Sequence, residues 1–207
     1  MKEAIAYAPG IRVLKQDIFE TLIAFIISAN NNLKRIQASM FALSRLYGEK
    51  LSIRASLRQA LDKAEYLTLQ EYAYSFPSPE KLASMSADEL RQNASVGYRD
   101  VFIVRASQQV VEDISLEHLE SLKTKELEQA LQQFAGVGPK VAACIALYAF
   151  GRGESFPVDV WIKRAMEQLY LGRSASKKEI LEEAHKRFGN YAGFAQQYLF
   201  YYAKDRL

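Results

Sequence analysis

Apolar positions recur every three or four residues along most of the chain, and no stretch reads as a confident strand. That spacing builds helices with one buried face. Asp17, with Glu20 three residues on, opens a helix from Ile18 to about Ala29 that is apolar on nearly every side, so it should be central. After Asn30-Asn31-Asn32, a second helix over Leu33 to Tyr47 points Ile36, Met40, Leu43 and Leu46 inward. Residues 48–75 are polar and expected to hold one or two short helices. Pro79 and Ser86 start short helices, the latter with Glu89 as a capping box. Val96-Gly97-Tyr98-Arg99 is a turn before a longer helix to about Asp113. Thr124 is expected to cap a helix to Phe134, followed by a second from Lys140 to Phe150. Phe156-Pro157-Val158 is extended, because the residue before proline is pushed out of the helical region. Asp159 caps a helix to about Tyr170, and Ser176 with Glu179 opens another to Phe188. The last helix runs from Tyr191 to Lys204. Residues 1–16 show little pattern. The fold class is all-α, a single domain over residues 1–207, with about ten helices joined by short connections.

Composition narrows the chemistry. Of the 207 residues, 49% are hydrophobic, enough for a sizeable core. A net charge of +3 permits a nucleic-acid partner without demanding one. One cysteine, Cys144, and two histidines exclude a disulfide framework, a four-cysteine zinc or iron–sulfur site, and a histidine-rich metal centre. The longest apolar run, Leu22 to Ala29, falls far short of the roughly 20 residues that span a bilayer. The expectation is an intracellular protein, in the cytoplasm or nucleoid if the source is prokaryotic, with no membrane partner.

The chemistry gathers around Ala135-Gly136-Val137-Gly138-Pro139-Lys140. A glycine hairpin before a helix N-terminus can turn backbone N–H groups towards a phosphate. An ordinary turn between packed helices fits the same residues. Lys140, partly desolvated at a helix start, could serve as an amine nucleophile, or as a point charge on a phosphate. Asp159 suits an N-cap, and equally a carboxylate facing a developing cation.

Six stretches together narrow the choice: Ser28 to Asn32, Val96 to Arg99, Gly136 to Lys140, Lys140 to Cys144, Phe156 to Val160, and Tyr191 to Gln196. In this order they resemble the helix–hairpin–helix DNA glycosylases, most closely the 8-oxoguanine DNA glycosylases. The resemblance implies a two-lobed helical fold with the active-site cleft between lobes, lobe 1 about residues 33–123 and lobe 2 about 1–32 plus 124–207. It implies base-excision repair of double-stranded DNA containing a damaged base, by a monomer. Lys140 matches the nucleophile that forms a Schiff base with the sugar before β-elimination. Asp159 matches the catalytic carboxylate. Cys144 and Phe200 match the pair that sandwich the flipped base, and Gln196 the reader of its edge. Asn30 fills the hole in the duplex, Tyr98 is the wedge, and Arg35 and Arg99 hold the estranged cytosine. Gly136 and Gly138 hold a phosphate. No organic cofactor or catalytic metal is implied, although the family's hairpins can hold a structural cation through backbone carbonyls.

Three departures accompany the match. The better-known members carry an N-terminal β-containing domain that supplies a contact selective for 8-oxoguanine. Only about ten residues precede the match here, so a fragment or a shorter branch is expected. Trp161 stands where many members have a histidine near the phosphate, and Ala203 where they have the acid orienting it. Trp161 is therefore expected beside the DNA backbone or pocket wall, with no proton-transfer role. A glycosylase of this fold for a different damaged base, and a non-catalytic DNA-binding module, are the alternatives.

Overall fold

The computed structural model describes residues 1–52 and 73–207. Twelve α-helices are found among them: α1 (Lys2–Tyr7), α2 (Ile18–Ser28), α3 (Leu33–Tyr47), α4 (Pro79–Ala83), α5 (Ala87–Ala94), α6 (Asp100–Glu112), α7 (Leu116–Ser121), α8 (Thr124–Leu131), α9 (Pro139–Tyr148), α10 (Val160–Met166), α11 (Lys177–Phe188) and α12 (Ala192–Arg206). Among the described residues the only β pairing is one antiparallel bridge, Lys50 with Tyr74. The short helices expected within 48–75 fall largely outside the described residues. No helix among them is long and apolar enough to cross a membrane.

Helix starts follow the local sequence. Asp17 accepts from the Glu20 N–H at 2.8 Å, Asn32 from Arg35 at 3.0 Å, and Ser176 and Glu179 form a reciprocal capping box. Each such cap is worth about 1 kcal/mol. Thr124 does not act as expected. Lys123 is the cap residue, its N–H donating to Glu126 at 3.3 Å, and the Thr124 hydroxyl donates to Glu154 instead. Leu46 is also not inward. It is 52% exposed, whereas Ser39 is buried, donating to the Ser95 carbonyl at 3.2 Å.

The chain forms two compact units, and α2 passes from one to the other between Leu22 and Ile23. One unit comprises residues 1–22, 117–133 and 137–207. Its core clusters Phe156, Val158, Ile162, Met166, Ile180 and Leu199, with Phe200 packed against it. Within it α8 packs on α9, and α10 and α1 each pack on α12. The second unit comprises residues 23–116 and 134–136. There α4 packs on α6 and α3 on α5, with Leu43, Leu82, Leu90 and Ile103 fully buried.

Candidate active site

Helix α9 begins where proline fits best: Gly138 is its cap residue, Pro139 its first position and Lys140 its second. Val141 to Leu147 are all buried, so α9 is a core helix with one functional edge. Lys140, Cys144 and Tyr148 follow at four-residue spacing and so share that edge. Cys144 is 5% exposed. Burial pushes its thiol up to about 11, against an opposing pull from the Lys140 amine, which bears on the sulfur by charge and by a hydrogen bond. The Asp159 carboxylate pushes the thiol further up. Amine and carboxylate are therefore each within electrostatic reach of the thiol. A thiol held at that value is neutral at physiological pH, which makes Cys144 a poor nucleophile.

Asp159 is fixed by the helix it starts. Its Oδ1 accepts the Ile162 N–H at 2.8 Å, and the side chain remains half-exposed. The segment leading to it, Phe156-Pro157-Val158, lies outside any helix and is buried. Gln196 is 5% exposed. Its Nε2 donates to the Pro157 carbonyl at 3.2 Å, and its Oε1 accepts from Gln197 at 2.5 Å. Phe200 is half-buried, with Tyr201 edge-on at 5.9 Å between ring centroids. Trp161 lies two residues beyond Asp159, under the Arg164 guanidinium at 5.0 Å. A cavity of about 440 Å³ adjoins α8, α9 and α11, with Glu128, Glu154, Phe156, Lys177 and His185 on its wall. Of the five proposed catalytic and base-pocket residues only Lys140 lines it, so this cavity is not the expected base pocket. Among the described residues no three His, Cys, Asp or Glu side chains gather as a metal site.

The remaining positions lie in the second unit, apart from Gly138. Gly136 has φ +81°, and a Cβ there would stand 3.0 Å from Phe102 Cβ and Cγ. Only glycine satisfies both constraints. Gly138 has φ −95° and open space around it, so its backbone does not require glycine. Asn30 is exposed with φ +49°. Its turn is braced by Arg99, which is only 7% exposed. Arg99 donates from Nε to the Ala29 carbonyl at 3.0 Å, from Nη2 to the Ala29 and Asn30 carbonyls, and from Nη1 to Val96 at 3.3 Å. The guanidinium also covers the Tyr98 ring at 4.5 Å. Tyr98 is 55% exposed and stands edge-on to Phe102. Arg35 is exposed in the first turn of α3.

Residues 23–190 match the model of the HhH-GPD superfamily of base excision DNA repair proteins. The chain belongs to this superfamily. A probable N-glycosylase/DNA lyase of Methanothermobacter thermautotrophicus is 32% identical over 205 residues, covering 94% of this chain and 64% of that protein. The N-glycosylase/DNA lyase OGG1 of Arabidopsis thaliana is 33% identical over 210 residues, covering 96% of this chain and 53% of that one. The crystal structure of the Clostridium acetobutylicum 8-oxoguanine glycosylase/lyase, in complex with double-stranded DNA containing cytosine opposite 8-oxoG, matches with a TM-score of 0.85 and 35% identity. It covers 99% of this chain and 65% of that one. The chain thus spans between 53% and 65% of the length of these relatives.

Residues outside the motifs adjoin the same edge of α9. Tyr148, raised to about 12 chiefly by burial, also feels Cys144 and Tyr201 and takes a hydrogen bond from Gln197. These three residues extend the Lys140 edge. The i, i+4, i+8 run of Lys140, Cys144 and Tyr148 was the available signal for Tyr148. Nothing local marks Gln197 or Tyr201.

Proposed function

We propose that this chain is a base-excision repair DNA glycosylase with AP-lyase activity, which excises 8-oxoguanine from double-stranded DNA. The observation that carries the reading is that the Lys140 amine, from α9, and the Asp159 carboxylate, at the start of α10, both bear on the Cys144 thiol. Its support is the superfamily match together with relatives named as N-glycosylase/DNA lyases.

In this reading the target nucleotide leaves the stack, at a cost of a few kcal/mol, before any bond breaks. Tyr98 wedges the duplex, Asn30 occupies the vacated space, and Arg35 with Arg99 meets the estranged cytosine. The base lies between Cys144 and Phe200, and Gln196 offers its amide to the purine edge. The Lys140 amine attacks C1′. The Nζ–C1′ bond forms as the glycosidic bond breaks, and the base departs with the bonding electrons. Asp159 stabilises positive charge on the sugar during that displacement. Proton loss from Nζ and ring opening give the Schiff base. Removal of a C2′ proton then expels the 3′ phosphate and nicks the strand. Gly136 and Gly138 hold a phosphate of the backbone, and Trp161 packs beside the DNA without moving a proton. No organic cofactor takes part, any cation at the hairpin is structural, and the chain acts as a monomer inside the cell.

Borohydride trapping on a duplex with 8-oxoguanine opposite cytosine tests the reading. The intact chain should give a covalent adduct that Lys140→Gln abolishes. No adduct, or undiminished trapping by the variant, overturns it. A panel of other lesion duplexes separates 8-oxoguanine from a different damaged base. Affinity for duplex should fall steeply with salt as phosphate contacts release counterions.

A further inference from the structure

Ser155 is 1% exposed and lies four residues before Asp159. Its hydroxyl faces two acceptors: the Glu128 carboxyl on α8, and the Ala143 carbonyl on α9 at 3.0 Å, one residue before Cys144. Its carbonyl lies against Gly193 of α12, where a Cβ would come within 2.6 Å. Gly193 in turn donates to the Gly153 carbonyl at 2.7 Å. One buried residue thus touches the helix of Lys140 and Cys144, the non-helical lead to Asp159, and the helix of Gln196 and Phe200.

A hydroxyl carries a single proton. With Glu128 ionised, its oxygen and the Ala143 carbonyl compete for that proton, and one contact is left unmade. With Glu128 protonated, the carboxyl donates to Ser155 Oγ and Ser155 donates to Ala143, so both contacts are satisfied. Burial of the Glu128 carboxyl favours the same neutral form and raises its pKa. The Ser155 hydrogen bond and the nearby His185 oppose that rise, and Glu154 adds to it. The charged groups that share the cavity wall with Glu128 are Lys125 on its own helix, Lys140 from α9, Glu154 from the loop, and Lys177 and His185 from α11. Glu154 is engaged by Thr124, and the His185 Nε2 donates to the Glu154 carbonyl at 3.0 Å.

We propose that Glu128 is a positioning residue that acts as a neutral acid, locking Ser155 onto Ala143 and so setting Asp159 against the Lys140–Cys144 edge of α9. Ionisation of Glu128 opens the lock. The effect on rate rests on the glycosylase/lyase reading above, whereas the protonation state does not.

Two measurements test it. The first is the single-turnover excision rate as a function of pH. The wild-type rate should fall on an alkaline limb as Glu128 ionises. Glu128→Gln keeps a donor to Ser155 and cannot ionise; it should lack that limb and match the acid-side rate within about twofold, while Glu128→Ala and Ser155→Ala fall roughly tenfold through misplacement, with duplex affinity unchanged. Glu128→Gln keeping the wild-type limb, or falling as far as Glu128→Ala, overturns the proposal. The second is isotope-edited infrared spectroscopy of the intact chain at a pH just above the ordinary carboxylate range. A protonated-carboxyl band that disappears in Glu128→Gln is expected, and its absence from the wild type overturns the proposal. If the chain excises no base from any duplex, the glycosylase reading fails, and the infrared band alone still decides the state of Glu128.

Discussion

The two hairpin glycines make a matched pair for substitution. At Gly136, alanine must hold φ +81°, and its Cβ arrives 3.0 Å from two atoms of Phe102. The left-handed conformation costs an alanine about 1–2 kcal/mol, and displacing a packed ring adds about 1–3, so Gly136→Ala should lose roughly 2–5 kcal/mol. At Gly138, φ is −95° and a Cβ meets nothing within 4 Å. Gly138→Ala should therefore stay within about 0.5 kcal/mol of the parent, as unperturbing substitutions do. Urea unfolding followed by far-ultraviolet circular dichroism gives both numbers. Duplex affinity measured on the folded Gly138→Ala variant then isolates what approaches the backbone from outside, because nothing inside the protein is disturbed. A loss below 1 kcal/mol for Gly136→Ala, or equal losses for the two variants, would refute the reasoning.

Two further outcomes follow from the site. The Cys144 thiol, raised from 9.0 to about 11 by burial, contributes stability that is present below pH 9 and lost as pH rises through 11, on the order of 3 kcal/mol. Unfolding curves across that window should converge on those of Cys144→Ala, and parallel curves would remove the assignment. Asp159→Ala should lose about 1 kcal/mol with its cap, whereas Asp159→Asn retains an acceptor for the Ile162 N–H and should unfold like the parent. Excision kinetics should collapse in both variants; an active Asn variant would leave Asp159 with a capping role only.

Much of the helix order was legible because its punctuation is local. The Ser176–Glu179 box and the Asn32 cap depend on side chains three residues from the backbone they serve. The misses depended on distant partners. Helix α1 is six residues long and is secured by Tyr7 donating to Asp205 at 2.6 Å and by Tyr202 donating to Glu3 at 3.0 Å. No window near the N-terminus contains those contacts. Thr124 looks like a cap until Glu154, thirty residues on, takes its hydroxyl. The same division holds at the site. That Lys140 and Cys144 share one edge of α9, and that Asp159 caps α10, was legible from helix spacing and local sequence. The Glu128–Ser155 contact was not, because two ordinary polar residues separated by 27 positions carry no pattern.

The brace around Asn30 has a consequence for mutational tolerance. A guanidinium has five N–H donors, and Arg99 commits four of them to carbonyls of its own chain. One remains to present to a base. Arg35, exposed on α3, makes no comparable set of hydrogen bonds among the described residues. Although the two arginines look equivalent in the sequence, their losses should differ in kind. A damaged Arg99 yields a protein that is scarce because it is poorly folded. On the proposed glycosylase reading, a damaged Arg35 yields an abundant, well-folded protein that is careless about the opposite base.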